Sequence, residues 1–182
     1  MRIISGKFKG KVLKTFELLS TRPTTDMVRE ALFDKIGLDV EGKVFLDLFA
    51  GTGANGIEAL SRNAQTCYFV DAEKKAVELI KKNLNLVDAN NGLVFQLDYK
   101  IALQNFSKQK LTFDHIFLDP PYKTDFAEDA ITIIEEYSLL NKNGLVVWEH
   151  DQSKNEYIDA HFVNFKTKKY GKKFLTYIYD FA

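Results

Sequence analysis

Two short stretches of the chain carry residue types that could do chemistry. The first is Asp119-Pro120-Pro121-Tyr122. Consecutive prolines fix φ and remove two backbone donors, so this turn is stiff and offers acceptors only. Acceptors beside an aromatic ring suit a flat heterocycle that carries an exocyclic amine. The Asp119 carboxylate and the Pro120 carbonyl would accept the two N–H bonds while Tyr122 stacks on the ring. Such an amine is a poor nucleophile while its lone pair is delocalised into the ring. Holding both N–H groups draws the nitrogen toward tetrahedral geometry and aims the lone pair at an electrophilic methyl group, and no metal is required.

The second stretch is Gly51-Thr52-Gly53-Ala54-Asn55-Gly56, a G-x-G-x-x-G pattern between a strand-like run and a helix-like run. Glycines there allow a tight turn and a close approach of a ligand to the main chain. Two ligand classes fit. A dinucleotide would set its pyrophosphate on the helix N-terminus and its ribose on an acid roughly 20 residues further on, which Asp71 satisfies. S-adenosylmethionine also needs a ribose-binding acid, but it has an ammonium group and no phosphate. Asp47 supplies a carboxylate just before the turn. Unpaired burial would be costly, so it should face a bound cation or backbone donors. Asp98 could accept a hydrogen bond from an adenine amine or simply cap a helix.

The elements that must position these residues follow a repeating pattern. Val44 to Ala50 is a continuous apolar run, as in a strand buried on both faces. Thr66–Val70, Val94–Leu97, Phe113–Leu118 and Leu145–Glu149 read as further strands, the last entered through an Asn143-Gly144 turn. Helical spacing links Ile57 and Leu60, then Ala76, Val77, Ile80, Leu84 and Val87, then Ile101 to Phe106, then Phe126, Ala130, Ile133 and Ile134. Five strand-then-helix units imply a doubly wound α/β fold with a mostly parallel sheet. Residues 162–170 and 175–181 suggest an antiparallel C-terminal hairpin around Gly171. Residues 2–16 suggest a small N-terminal β-hairpin, and a helix capped by Thr24 or Thr25 should follow Pro23. With no linker-like stretch, a single domain spanning 1–182 is expected, with 1–20 as a basic extension and 21–182 as the core.

At 182 residues, with 46% hydrophobic and 27% charged, the composition is that of a globular domain rather than a disordered chain. The opening residues meet charges too soon for a secretory signal, and no apolar run approaches membrane length. A cytoplasmic protein is therefore expected. Cys67 alone permits neither an intrachain disulfide nor a Cys-rich metal site. The net charge is zero but unevenly spread. Residues 1–22 hold Arg2, Lys7, Lys9, Lys11, Lys14 and Arg22 against Glu17 alone, and residues 163–175 hold Lys166, Lys168, Lys169, Lys172 and Lys173 with no acid. Two basic ends around an acidic middle suit a protein that grips a polyanion, although lysines also protect edge strands.

Asp47-Leu-Phe-Ala-Gly-Thr-Gly-Ala-Asn-Gly56 together with Asp119-Pro-Pro-Tyr122 resembles the class I, Rossmann-like S-adenosylmethionine-dependent amino-methyltransferases. Met1-Arg-Ile-Ile-Ser-Gly-Lys-Phe-Lys-Gly10 and Thr21-Arg-Pro-Thr-Thr-Asp-Met-Val-Arg-Glu-Ala-Leu-Phe33 narrow the likeness to the bacterial 16S ribosomal RNA guanine-N2 methyltransferase family of RsmD type, nearly end to end. The resemblance implies a seven-stranded sheet and S-adenosylmethionine as cofactor. It implies a cofactor pocket shaped by Asp47, Phe49, Ala50, Gly51 and Gly53, with Asp71 on the ribose and Asp98 on the adenine. Asp119, Pro120 and Tyr122 would position the target guanine. Arg22, Thr24 and Thr25 would line the mouth, and Arg2, Lys7, Lys9 and Lys11 with Arg22 and Thr24 would meet the RNA. The chain departs from the family's pattern at Thr52, Asn55 and Asp71, where serine, leucine and glutamate are usual. The implied partner is 16S RNA in an assembled or partly assembled small subunit, approached by a monomer without metal or membrane.

Competing readings are a DNA adenine methyltransferase, which shares the Asp-Pro-Pro-Tyr motif, a nicotinamide-dependent oxidoreductase, and a non-enzymatic RNA-binding module. His115, His150 and His161 have no carboxylate at triad or metal-ligand spacing, so structural roles are expected, as for Trp148 and Cys67. Glu149-His150 ends the fifth strand near the expected ligand edge, where there is room for a secondary substrate contact but no residue pattern that assigns one.

Overall fold

The seven strands of the computed structural model lie in the order β3-β2-β1-β4-β5-β7-β6, and that order follows from where the apolar residues fall. The structure describes residues 1–16, 23–121 and 124–179, with the side chains of residues 23–26 and of residue 38 outside the description. The elements are α1 (Pro23–Ile36), β1 (Val44–Leu48), α2 (Ala54–Ser61), β2 (Thr66–Asp71), α3 (Lys74–Val87), β3 (Gly92–Gln96), α4 (Tyr99–Lys108), β4 (Phe113–Leu118), α5 (Phe126–Glu136), β5 (Leu140–His150), α6 (Asn155–His161), β6 (Phe165–Tyr170) and β7 (Lys173–Ile178). The first five strands run parallel, and β7 is antiparallel to both β5 and β6.

Alternate side chains of each strand meet different helices because side chains project from opposite faces of a strand. Phe45, Phe117, Val147 and Tyr177 join α1, α2 and α3 through Leu32, Phe33, Ile57, Leu60 and Ile80. Leu46, Ile116, Val146 and Trp148 join α4, α5 and α6 through Leu103, Phe106, Ile131, Ile134 and Ile158. Both faces of β1 and β4 are thus covered, which is why those strands read as unbroken apolar runs.

Four details differ from the sequence reading. Helix α1 starts at Pro23, so Thr24 and Thr25 lie inside its first turn instead of capping it; proline suits that position because its missing N–H would have no helical partner. Strand β5 begins at Leu140, with a register shift between Phe113 and His115 of β4 absorbing the Asn143-Gly144 kink. Helix α6 follows β5 and was not anticipated. The N-terminal hairpin closes on one bridge, Arg2 with Val12, and bends and turns fill residues 5–10.

What holds that N-terminal segment is α2 rather than a ladder of its own. Ile3, Phe8 and Leu13 are buried in the α1–α3 cluster, each side chain contributing about 1.5–3 kcal/mol. The Glu58 carboxylate accepts from the Ile4 N–H at 2.8 Å and the Ser5 N–H at 3.0 Å and pairs with Arg62 at 3.0 Å. The Ser61 carbonyl accepts from the Lys7 N–H and the Ser61 hydroxyl from the Phe8 N–H. Asn83 of α3 closes the other end, accepting from the Lys14 N–H and donating to the Lys14 and Thr52 carbonyls.

Gly6 makes the docking possible. Its φ is +79°, and a Cβ there would fall 1.8 Å from the Ser61 carbonyl oxygen. Gly10 has a similar φ of +85° but open space around it. Gly10→Ala should therefore cost only the left-handed backbone penalty of about 1 kcal/mol. Gly6→Ala should cost about 2–3 kcal/mol, because the segment must also move off α2. Urea unfolding of the two variants checks this; equal losses would show that the close approach to Ser61 carries no energy.

Candidate active site

Parallel strands end together at one edge of a sheet, and the chain places its unusual backbone there. Leu48 of β1 faces Val70 of β2 on one side and Leu118 of β4 on the other, so the segments following these strands share a rim. Phe49 leaves β1 with φ +69°, a left-handed conformation uncommon for a side chain of its size, and Gly51 and Gly53 continue with φ +53° and +76°. Gly56 serves packing. A Cβ there would lie 2.2 Å from Phe69 Cε1 and 2.5 Å from Cys67 Sγ, so only glycine lets α2 settle onto β2.

Asp47 lies buried beneath this turn, and its Oδ2 accepts from the Gly56 N–H at 2.9 Å. Burial pushes its carboxyl up to about 8, against the lowering effect of that hydrogen bond, and the nearby Asp71 charge adds to the rise. Asp71 ends β2 and accepts from the Gly51 N–H at 2.8 Å and the Glu73 N–H at 2.9 Å. Asp98 caps α4 through the Lys100 N–H at 2.8 Å and remains exposed. Capping and ligand binding were alternatives in the sequence; the structure shows the cap and sets the same carboxylate at the cavity wall.

Between these segments opens a cavity of about 730 Å³, within the range of small-molecule sites. Phe49, Gly51, Asp71, Asp98, Asp119 and Pro120 line it, with Glu73, Leu97, Tyr99, Pro121 and Phe126. Phe49, Tyr99 and Phe126 form an aromatic wall, with Phe49 and Phe126 stacked at 6.4 Å and each 5.2 Å from Tyr99. Among the described residues the lining holds four carboxyl groups and no lysine or arginine. That decides between the two ligand classes. The N–H groups a pyrophosphate would use are engaged: Gly51 by Asp71, Gly53 by the Ala50 carbonyl, Gly56 by Asp47. A cavity of carboxylates and apolar walls fits a nucleoside bearing positive charge and repels a diphosphate.

Asp119 follows β4 across from Asp47 and Phe49. The next residue, Pro120, is buried, and the Pro121 carbonyl is taken by Thr124, which donates from both its N–H and its hydroxyl. The Asp119 carboxyl stands well above the usual carboxylate range. Burial is the main cause and the charge of Glu149 the second, opposed by Lys173. Glu149 of β5 is itself buried and paired with Lys173 of β7. Glu149 thus acts on Asp119 through its charge. His150 is turned inward between Thr176 and the Asp151 carbonyl, at 2.7 and 2.8 Å. His115 is likewise buried, held at the Asp39 carbonyl at 3.2 Å, and burial lowers its pKa and that of His150.

Of the residues singled out in the sequence, Asp47, Ala50 and Gly53 shape the glycine turn without lining the cavity, and Tyr122 and Arg22 fall outside the described residues. Thr24 is in the first turn of α1. Lys7, Lys9 and Lys11 are exposed on the loop bound to Ser61 at the C-terminal end of α2. That helix has eight residues, so its far end is about 12 Å from the glycine turn. The cavity therefore assembles without these lysines. Sequence reasoning missed Glu73, Leu97, Tyr99 and Phe126 as lining residues, and Glu58 and Asn83 as anchors. Asn83 left a signal, a polar residue on the apolar face of α3.

Comparison with known proteins extends the geometry over nearly the whole chain. The family model described as Conserved hypothetical protein 95 matches residues 1–179. YlbH of Bacillus subtilis (strain 168) is 45% identical over 153 residues, covering 84% of this chain and 83% of that protein. Ribosomal RNA small subunit methyltransferase D of Escherichia coli (strain K12) is 31% identical over 151 residues, 83% of this chain and 75% of that one. The solved structure of yhhF from Escherichia coli superposes with a TM-score of 0.83 at 30% identity, covering 100% of this chain and 99% of the other. A doubly wound sheet, an acidic cavity at the glycine turn and likeness along the chain meet in one assignment: the chain belongs to the Conserved hypothetical protein 95 family, the RsmD type of S-adenosylmethionine-dependent methyltransferases.

Proposed function

We propose that this protein transfers a methyl group from S-adenosylmethionine to the exocyclic N2 amine of a guanine in small-subunit ribosomal RNA. The observation that carries the reading is the Asp119-Pro120 corner, whose acceptors face a carboxylate-lined cavity beside the glycine turn. The names of the relatives supply ribosomal RNA as the substrate class. The resemblance of the opening residues and the acceptor chemistry of the corner supply guanine. A cytoplasmic protein meeting RNA in an assembled or partly assembled subunit follows from the same reading.

When bound, the cofactor supplies an electrophilic methyl group. Of the residues that line the cavity, Asp71 and Glu73 would hold the ribose hydroxyls, Asp98 the adenine amine, and Phe49, Leu97 and Phe126 the faces of the base. The Asp47 carboxyl under the turn favours positive charge above it. The target guanine would leave its stack at a cost of a few kcal/mol and present its amine to Asp119 and to the Pro120 carbonyl. Transfer would form the N–C bond as the sulfonium's S–CH3 bond breaks, leaving S-adenosylhomocysteine; the nitrogen would become cationic, so an N–H proton must leave. The Asp119 carboxylate is the acceptor at hand, and its elevated pKa makes it a competent base. Most of the acceleration then comes from holding amine and methyl donor in line.

Two outcomes test this. Asp119→Asn keeps a carbonyl acceptor but removes the base. The rate of labelled-methyl incorporation into small-subunit RNA should fall by about 10²–10⁴ while cofactor affinity stays within about twofold. Wild-type turnover by that variant would remove Asp119 from the chemistry. Labelling DNA instead of RNA would favour the adenine alternative. The second outcome concerns Asp47. With its carboxyl at about 8, Asp47 holds a proton at pH 7 that an overlying cation expels. Cofactor affinity should therefore rise with pH from about 6 to 8, with close to one proton released per molecule bound at pH 7. Calorimetry in two buffers of different ionisation enthalpy measures this. Asp47→Asn, which keeps the Gly56 hydrogen bond, should abolish the release.

A further inference from the structure

The cavity is lined by carboxylates, so it takes a base and repels the phosphates on either side of it. Whatever holds those phosphates must lie beside the cavity mouth. The chain has two basic regions. The loop with Lys7, Lys9 and Lys11 is anchored at the far end of α2. The β6–β7 pair is different. Because β7 runs antiparallel to β5, the start of β7, the end of β6 and the turn between them lie at the same sheet edge as Asp119.

Strand register makes the placement specific. Leu118 of β4 faces Trp148 of β5, so Asp119 and Glu149 are the next residues along; Glu149 faces Leu175 of β7, and Leu175 faces Lys168 of β6. Asp119, Glu149, Leu175 and Lys168 thus form one row on the α1-covered side of the sheet. At about 4.8 Å per strand, Lys168 is roughly 14 Å from Asp119. Lys172 occupies the turn beyond it, next to Gly171 with φ +62°. Lys166, Lys168 and Lys172 are exposed, and among the described residues none of the three is ion-paired. Lys169 lies over the Phe174 ring and Lys173 is paired with Glu149, so these two are already engaged.

We infer that Lys168 and Lys172, supported by Lys166, form a phosphate-binding rim that carries the RNA backbone next to the flipped base. The inference rests on RNA being the substrate and adds where its backbone runs. Lysines serving only to blunt the exposed edge of β6 would contribute nothing to a salt-dependent affinity.

The test is binding of a fluorescent guanine-containing single-stranded RNA at about 50 to 200 mM salt. Each single-strand phosphate contact contributes about 0.7 to the slope of log affinity against log salt. Lys168→Glu with Lys172→Glu should lower that slope by about 1.4 and weaken binding about tenfold or more, with cofactor affinity unchanged. The matched control is Lys108→Glu with Lys142→Glu. These are exposed lysines at the end of α4 and the start of β5, on the opposite edge of the sheet, and they change net charge equally. The control should keep the wild-type slope. An unchanged slope in the first variant, or an equal drop in the control, overturns the rim. Methyl incorporation by the wild-type protein is scored separately. If RNA is methylated while the rim variant binds like wild type, only the rim fails; if RNA is never methylated, the functional reading fails.

Discussion

The pairing of β1 with β4 is the constraint on which the site depends. Chain order would put β4 far from β1, with two whole strand–helix units between them. Yet the sheet reverses direction at β1, with β2 and β3 added on one side and β4 and β5 on the other. A crevice opens where strand order reverses, because the connections on the two sides leave for opposite faces. The Leu48–Leu118 register then sets the glycine turn and the Asp119-Pro120 corner side by side. Without that pairing, the cavity at the glycine turn and the Asp119-Pro120 corner would be two unrelated surface features.

Burial of acids at this junction explains much of the site's chemistry. Asp47, Asp119 and Glu149 come from three adjacent strands, and Asp47 and Glu149 both raise the carboxyl of Asp119. Among the described residues, Lys173 pairs with Glu149 and its charge also opposes the rise at Asp119. Asp47 is relieved by the Gly56 N–H and by protonation, and burial raises the proton affinity of Asp119, which leaves the cavity suited to a cation. On the proposed function, the same acidity requires the RNA backbone to be held from outside the cavity, and the charge asymmetry of the chain becomes intelligible in those terms.

The N-terminal segment illustrates how an extension too short to fold alone becomes part of the core. A single bridge cannot stabilise residues 2–12. Glu58, Ser61 and Asn83 supply the missing partners for its backbone, and Ile3, Phe8 and Leu13 supply apolar burial. Asn83 also holds the Thr52 carbonyl, so the anchor of the extension braces the glycine turn.

Strand and helix alternation was legible in the sequence because apolar periodicity is a local property. Unbroken runs at Val44–Ala50 and Phe113–Leu118 announced strands covered on both faces, and the glycine and Asp-Pro-Pro motifs announced special backbone at their ends. Asp71 could be named by its spacing from Gly51, and Asp98 by its place at the end of a strand. Other features were out of reach. Glu58 and Ser61 look like ordinary residues of a short helix until the N-terminal loop is laid against them. Tyr99 and Phe126 look like core aromatics until β3 and β4 bring their helices to one wall. The lysines near both ends were equivalent as composition; only strand register places Lys168 in the row of Asp119 and only the Ser61 contact places Lys7 at the far end of α2. Periodicity and motif chemistry are written in neighbouring residues. Which distant residues share an edge is decided by strand order, and that is a property of the folded sheet.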